Sequence, residues 1–217
     1  MRLTVDFGSP SASAAPVKLL VSTTFVKTTM SLRSMANPGC PGHTLKPMSR
    51  YPELAAKVDG FFARAMERHG DDMRCDTGCS HCCHVRLSVT RVEAEAIRDE
   101  LSSWPAERRA VLARNIAAAL PDRCVALDAD GRCLVYASRP IVCRSHGAPI
   151  RLTQKSLPIV TSCRENFTAR GPAAADADCI LDQATLSALT LAVDRDAGGD
   201  GSRTDLDSWL ATVLADC

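Results

Sequence analysis

The stretch Cys75-Asp76-Thr77-Gly78-Cys79-Ser80-His81-Cys82-Cys83 puts four thiols within nine residues, spaced C-x3-C-x2-C-C. On a helix turning about 100° per residue, all four fall within an arc of roughly 100°. Four soft ligands on one face suit a thiophilic metal. The adjacent pair Cys82-Cys83 adds a constraint. Neighbours on a helix point about 100° apart, so the two thiols serve different metals or one of them joins the core.

Four more cysteines follow: Cys124, Cys133, Cys143 and Cys163. With the first cluster they make eight candidate metal ligands in two sequence groups. Cys40 lies in the turn-like Pro38-Gly39-Cys40-Pro41-Gly42. It is read as a bystander, as are Cys179 and Cys217. In a small secreted chain, eleven cysteines would suggest a disulfide framework. That reading needs an export signal, and the N-terminal region is a poor one. Asp6 interrupts the run after Arg2, and the small residues Ser11 to Ala15 precede the apolar Leu19-Leu20-Val21 instead of following it. A reducing, cytoplasmic setting is therefore expected, where clustered cysteines bind metal or take part in redox chemistry. No apolar run approaches the roughly 20 residues that span a bilayer, so no membrane partner is expected. The formal charge of +1 gives no bulk case for nucleic acid.

The charge is unevenly spread. Residues 1–50 hold six Lys/Arg and one acid, and residues 173–217 hold nine Asp and two Arg. Residues 1–48 are rich in Ser, Thr, Pro and Gly without lasting periodicity. They read as a disordered leader or as an over-long start with Met48 as initiator. Pro52 opens a helix whose stripe is Leu54, Val58, Phe61, Phe62 and Met66, ending near Gly70. Thr90 and Glu93 form a capping box for a helix through Ala94, Ile97 and Leu101 to about Ser102. Ser103 and Pro105 restart a helix with Val111, Leu112, Ile116 and Leu120 inward, and Pro121 stops it. Asp128-Ala129-Asp130-Gly131 is a turn, Cys133 to Tyr136 a short strand, and Pro140, Gly147, Pro149 and Pro158 keep the rest of 122–165 irregular. Leu181 to Val193 and Leu206 to Leu214 are helices separated by the Gly198-Gly199-Asp200-Gly201 break. Only 4% of the chain is aromatic, so aliphatic side chains must form most of the core. The expected fold is mainly α with short irregular β segments, a small metal-stapled cysteine-cluster domain over residues 49–172. Acidic C-terminal helices over 173–217 pack on it.

Other polar residues group with the thiols. On an ideal helix His81 and His84 project away from the thiol arc and read as solvent-facing or capping. His146, in Cys143-Arg144-Ser145-His146-Gly147, suits a ligand, a donor to sulfur or a proton-transfer group. Arg139 and Arg144 flank Cys143, where a guanidinium would offset the negative charge of a four-thiolate site.

Several motifs together carry a resemblance. They are the Cys75 to Cys83 cluster, Cys124-x2-Leu127, Gly131-Arg132-Cys133-Leu134-Val135-Tyr136 and Arg139-Pro140-Ile141-Val142-Cys143-Arg144. Ser145-His146-Gly147-Ala148-Pro149 and Cys163-Arg164-Glu165-Asn166-Phe167 complete the set. In this order they resemble the YkgJ-like cysteine-cluster family, the zinc- or iron-chelating CxxCxxCC domain, over about residues 52–170. Val125 stands where that family usually has Pro, and Arg164-Glu165 where Pro-Leu is expected; neither departure removes a ligand. The resemblance implies bound zinc or an iron–sulfur cluster and an oxidoreductase-like role. Some relatives look like flagellin lysine methylases, but this chain is short for that and has no Gly-rich methyl-donor loop. Three functions follow: a metal protein with a redox role and an external redox or protein partner, a structural zinc module acting as a scaffold or binding domain, or a metal-handling protein. No residue is assigned a catalytic role.

Overall fold

The computed structural model describes residues 49–118 and 120–215. The expectations for residues 1–48, Cys40 and Cys217 lie outside the described residues. The fold is mainly helical with two small sheets, as expected.

Helix α1 (Tyr51–His69) starts with Pro52 in its first turn, where the missing N–H costs nothing. Its upper half buries Tyr51, Leu54, Ala55 and Val58 against Val92, Ile141, Leu186 and Val193. Its lower half buries Ala65 against Met73, Phe167, Ala175 and Cys179. Strand β1 (Ser88–Thr90) leads into α2 (Arg91–Ser102). The capping box is present: Glu93 accepts the Thr90 N–H at 2.8 Å and the Thr90 hydroxyl at 3.0 Å. Glu93 is fully buried, and its other oxygen accepts the Ile141 N–H at 2.9 Å. One carboxylate thus caps α2 and tethers the segment that carries Cys143. Helix α3 (Ala106–Ala118) buries Leu112. Leu120, expected inward, lies past the helix end and is 55% exposed, because Pro121 prevents the further turn that would have brought it round.

Residues 122–165 are more regular than expected. Helix α4 (Ile141–Ser145) is short, and β2 (Ile150–Gln154) pairs antiparallel with β3 (Leu157–Thr161). The turn between the strands is Lys155-Ser156, both at positive φ. The expected strand at 133–136 is absent: Cys133 makes an isolated bridge with Leu127, and residues 134–137 form turns. Val135 faces the core from those turns, so the apolar residues that suggested a strand are buried without one. The segment also supplies core residues of its own. Val125, Ala126 and Val135 pack with Ile97, Leu101, Trp104 and Leu112.

Strand β4 (Leu181–Asp182) pairs parallel with β2, giving the order β3-β2-β4. Helix α5 (Gln183–Asp196) starts two residues later than Leu181, capped by the Asp182 carboxylate on the Thr185 N–H at 2.8 Å. Buried Asp194 accepts from the Val92 and Gly201 amides, joining α5 to α2 and to the glycine break. Strand β5 (Arg203–Asp205) pairs antiparallel with β1, and α6 (Leu206–Ala215) packs Leu206, Leu210 and Val213 against α2 and α3. Among the described residues no helix is long and apolar enough to cross a membrane.

Candidate metal centre

The Cys75–Cys83 stretch is not an α-helix. Asp76 and Gly78 divert it. The Cys79 N–H donates to the Asp76 carbonyl at 3.0 Å, and the Asp76 carboxylate takes the Thr77 N–H at 2.6 Å. Such local side-chain bonds compete with helix formation. Gly78 sits at φ 92°, a conformation that costs glycine little. A second turn, closed by Cys83 N–H to Ser80 carbonyl at 2.8 Å, ends in a single 3-10 turn over His81–Cys83. The four thiols still reach one place, by two consecutive turns instead of one helical face.

That place is a cavity of about 500 Å³. It is lined by Cys75, Cys79, Cys82, Cys83, Cys124, Cys133, Cys143 and Cys163, the whole sequence-derived set. Arg139, Arg144 and His146 line it too. Seven of the thiols are half-buried and Cys163 is buried. Cys124 and Cys133 are held on the two sides of one loop. The Cys124 N–H donates to the Cys83 carbonyl at 2.7 Å, and the Asp128 carboxylate accepts the Asp130 and Arg132 amides, closing the turn between the two cysteines. Cys143 comes from α4, and Cys163 follows β3.

Two residues that sequence reasoning passed over organise this cavity. Asn166, almost fully buried, donates from Nδ2 to the Cys75 Sγ at 3.2 Å and to the Gly147 carbonyl at 2.8 Å. Its Oδ1 accepts the Arg74 N–H at 2.8 Å. Its only sequence signal was its place three residues after Cys163. Asp59 of α1 binds Arg139 at 3.1 Å and Arg144 at 2.5 Å. Nothing near it in sequence marks it. Arg144 also donates to the Arg139 and Ala137 carbonyls, so these bonds of its guanidinium go to oxygen, not sulfur. Arg139 lies over the Tyr136 ring at 3.9 Å, and among the described residues its buried Nε has no hydrogen-bond partner.

His81 and His84 are both exposed, as their helical reading expects. His81 lines the cavity, with Nε2 3.8 Å from Glu165 and Nδ1 3.3 Å from Arg164. It reaches the cavity because the backbone there is a turn and does not follow the helical spacing. His84 is exposed, as expected, and bonds the Asp122 carbonyl at 3.0 Å. His146 stands at the cavity edge, where desolvation lowers its imidazole pKa. Cys179 is elsewhere, fully buried beneath α1. Its sulfur lies within 4.8 Å of ligand atoms of His69 and Asp176, and the Asp176 N–H already donates to His69 Nε2 at 3.2 Å.

Burial dominates the electrostatics of the cavity. It raises the pKa of Cys75, Cys124, Cys133 and Cys143, with Cys133 raised to about 11. Cys83 is raised first by its hydrogen bond with Cys82, their sulfurs 3.9 Å apart, and the same bond lowers Cys82. The Arg139 charge also favours thiolate at Cys82 and Cys133. Eight soft donors with a cation beside them fit zinc or iron, which bind as thiolate complexes with net negative charge.

A pH prediction follows from these shifts. Below the ordinary thiol pKa of about 8.5, the raised thiols are neutral in both folded and unfolded chains. Above it, the unfolded chain loses protons that the folded pocket retains, so folding stability falls as pH rises towards about 11 at Cys133. Cys82 acts in the opposite sense, one group against five. The reduced, metal-stripped protein should therefore melt at progressively lower temperature from about pH 8 to 10. Zinc affinity should climb from about pH 6 to 9, because each bound thiol must release its proton. Anaerobic melts with and without zinc across this range test both slopes. A metal-stripped curve that stays flat or rises contradicts the burial argument.

These features define a thiol-lined pocket. Residues 74–168 match the CxxCxxCC family model, described as "Putative zinc- or iron-chelating domain". The match takes in all eight pocket cysteines and agrees with the resemblance read from the motifs. No curated protein and no solved structure matches the chain.

Proposed function

We propose that this chain is a zinc- or iron-binding protein whose pocket thiols hold a metal centre with a redox role. The carrying observation is that eight thiols from separate segments line one cavity of about 500 Å³. Three hydrophobic clusters stand beside it, built from α1 to α6 and the loops between them. Much of the fold thus rests on apolar packing, which leaves the cavity free for chemistry. Cys75, Cys79, Cys82, Cys83, Cys124, Cys133, Cys143 and Cys163 are the ligands in this reading. Arg139 offsets their negative charge, and its unpartnered Nε is available to hydrogen-bond a sulfur. Asn166 orients Cys75. An iron–sulfur cluster bound there would supply one-electron transfer, with a potential set by such hydrogen bonds and by burial. The Gly198–Gly201 break joins α5 to β5 and carries no nucleotide fingerprint, so electrons would come from an external partner in the cytoplasm.

A second reading, a structural zinc module, is favoured by one observation: between residues 120 and 149, α4 is the one regular helix or strand. Purification without oxygen separates the two. Iron, labile sulfide and a brown colour that bleaches reversibly with dithionite support the redox reading. Colourless protein with stoichiometric zinc, whose removal opens 120–165 to proteases, supports the structural one and overturns the first.

A further inference from the structure

We infer that the pocket is divided into two metal subsites, one held by Cys75, Cys79, Cys82 and Cys163 and the other by Cys83, Cys124, Cys133 and Cys143. This rests on the metal-binding reading above and goes beyond it. The first ground is number. Four thiolates complete one tetrahedral ion, and eight thiols line this pocket.

The second ground is that two separate backbone arrangements hold the two sets. Asn166 organises the first. Its amide bonds the Cys75 sulfur, its own N–H donates to the Cys163 carbonyl at 2.9 Å, and its Oδ1 holds Arg74. Cys79 lies in the turn that Asp76 closes directly after Cys75. The loop opposite organises the second set. The Cys124 N–H donates to the Cys83 carbonyl at 2.7 Å, the Leu127 N–H donates to the Cys124 carbonyl at 3.0 Å, and Leu127 bridges to Cys133. Cys124 and Cys133 lean on the cluster formed with α2, α3 and α6. Cys143 enters from α4, whose first N–H is fixed by Glu93.

The two sets meet at Cys82 and Cys83, whose sulfurs are 3.9 Å apart. Subsites that meet at this seam would be immediate neighbours.

Anaerobic titration of the reduced full-length protein with cobalt(II) tests the division, read by thiolate-to-cobalt charge-transfer absorption. Saturation at two cobalt ions per chain is expected. Asn166→Ala removes no thiol and should weaken one equivalent about 10–100-fold while sparing the other. The double variant Cys75→Ser/Cys163→Ser should keep one ion, and so should Cys133→Ser/Cys143→Ser. Because Cys133 leans on the core, Cys143→Ser alone serves as a second variant, with folding checked by circular dichroism. Saturation at one thiolate-bound cobalt overturns the division but leaves the metal-binding reading standing. So does an Asn166→Ala variant that loses both equivalents in parallel. No cobalt binding at all overturns both.

Discussion

Gly147→Ala is expected to lower the melting temperature by roughly 4–20 °C and to impair metal binding at Cys75. Gly147 has φ 98°, a left-handed conformation. A residue with a Cβ there costs about 1–2 kcal/mol. The added Cβ would lie 2.5 Å from the Cys75 sulfur, 3.3 Å from Asn166 Nδ2 and 3.4 Å from the Phe62 ring. None of these neighbours yields easily. The sulfur is tied to Asn166, Asn166 is held by Arg74, and Phe62 packs in the cluster beneath α1. Forcing a methyl into such packing costs about 1–3 kcal/mol more. At about 2–4 °C per kcal/mol for a chain of this size, the sum gives the stated shift. Gly171 is the control: it has φ 76° with nothing within 4 Å of the added atom. Gly171→Ala should pay the conformational part alone and leave metal content unchanged. If the two variants melt together and bind metal equally, Gly147 is not reserving space for the sulfur.

The contrast between these glycines shows where sequence reasoning succeeds. Features closed over a few residues were legible: the Thr90/Glu93 capping box, the Asp128–Gly131 turn, and the helices with clear apolar stripes at 51–69 and 206–215. The eight cavity cysteines were legible because thiol spacing is itself a strong signal. The path of their backbone was not. The helical arc of Cys75 to Cys83 arises equally from two consecutive turns, and Asp76 with Gly78 decides for the turns. The β2–β3 hairpin stayed hidden because Lys155-Ser156 takes a two-residue turn that usually carries Asn or Gly. Asn166 and Asp59 stayed hidden for a different reason. They act on partners about 80 to 90 positions away, Cys75 at a separation of 91 and Arg139 at 80. No local pattern records such a bond.

Asp59→Ala should destabilise the protein by about 3 kcal/mol, the lower end of the usual penalty for stranding a buried charge. Arg144 is nearly buried, with its side chain 8% exposed, and Asp59 is the carboxylate that pairs with it. Asp59 itself is 40% exposed, so water recovers part of the loss, which places the effect at the lower end. The Arg144 bonds to the Arg139 and Ala137 carbonyls would remain, but neither carries a full negative charge. Arg139 would lose its ion pair as well and keep its stacking on Tyr136. Both guanidinium groups line the thiol cavity, so metal affinity should also fall, by about 10–100-fold as for other residues that orient a metal site from behind its ligands. The clean measurement is a double-mutant cycle. Arg144→Met removes the charge that Asp59 neutralises, so the double variant should be clearly less destabilised than the sum of the singles. Additive losses would mean that Asp59 stabilises α1 on its own account and that the ion pair does not hold the cavity wall in place.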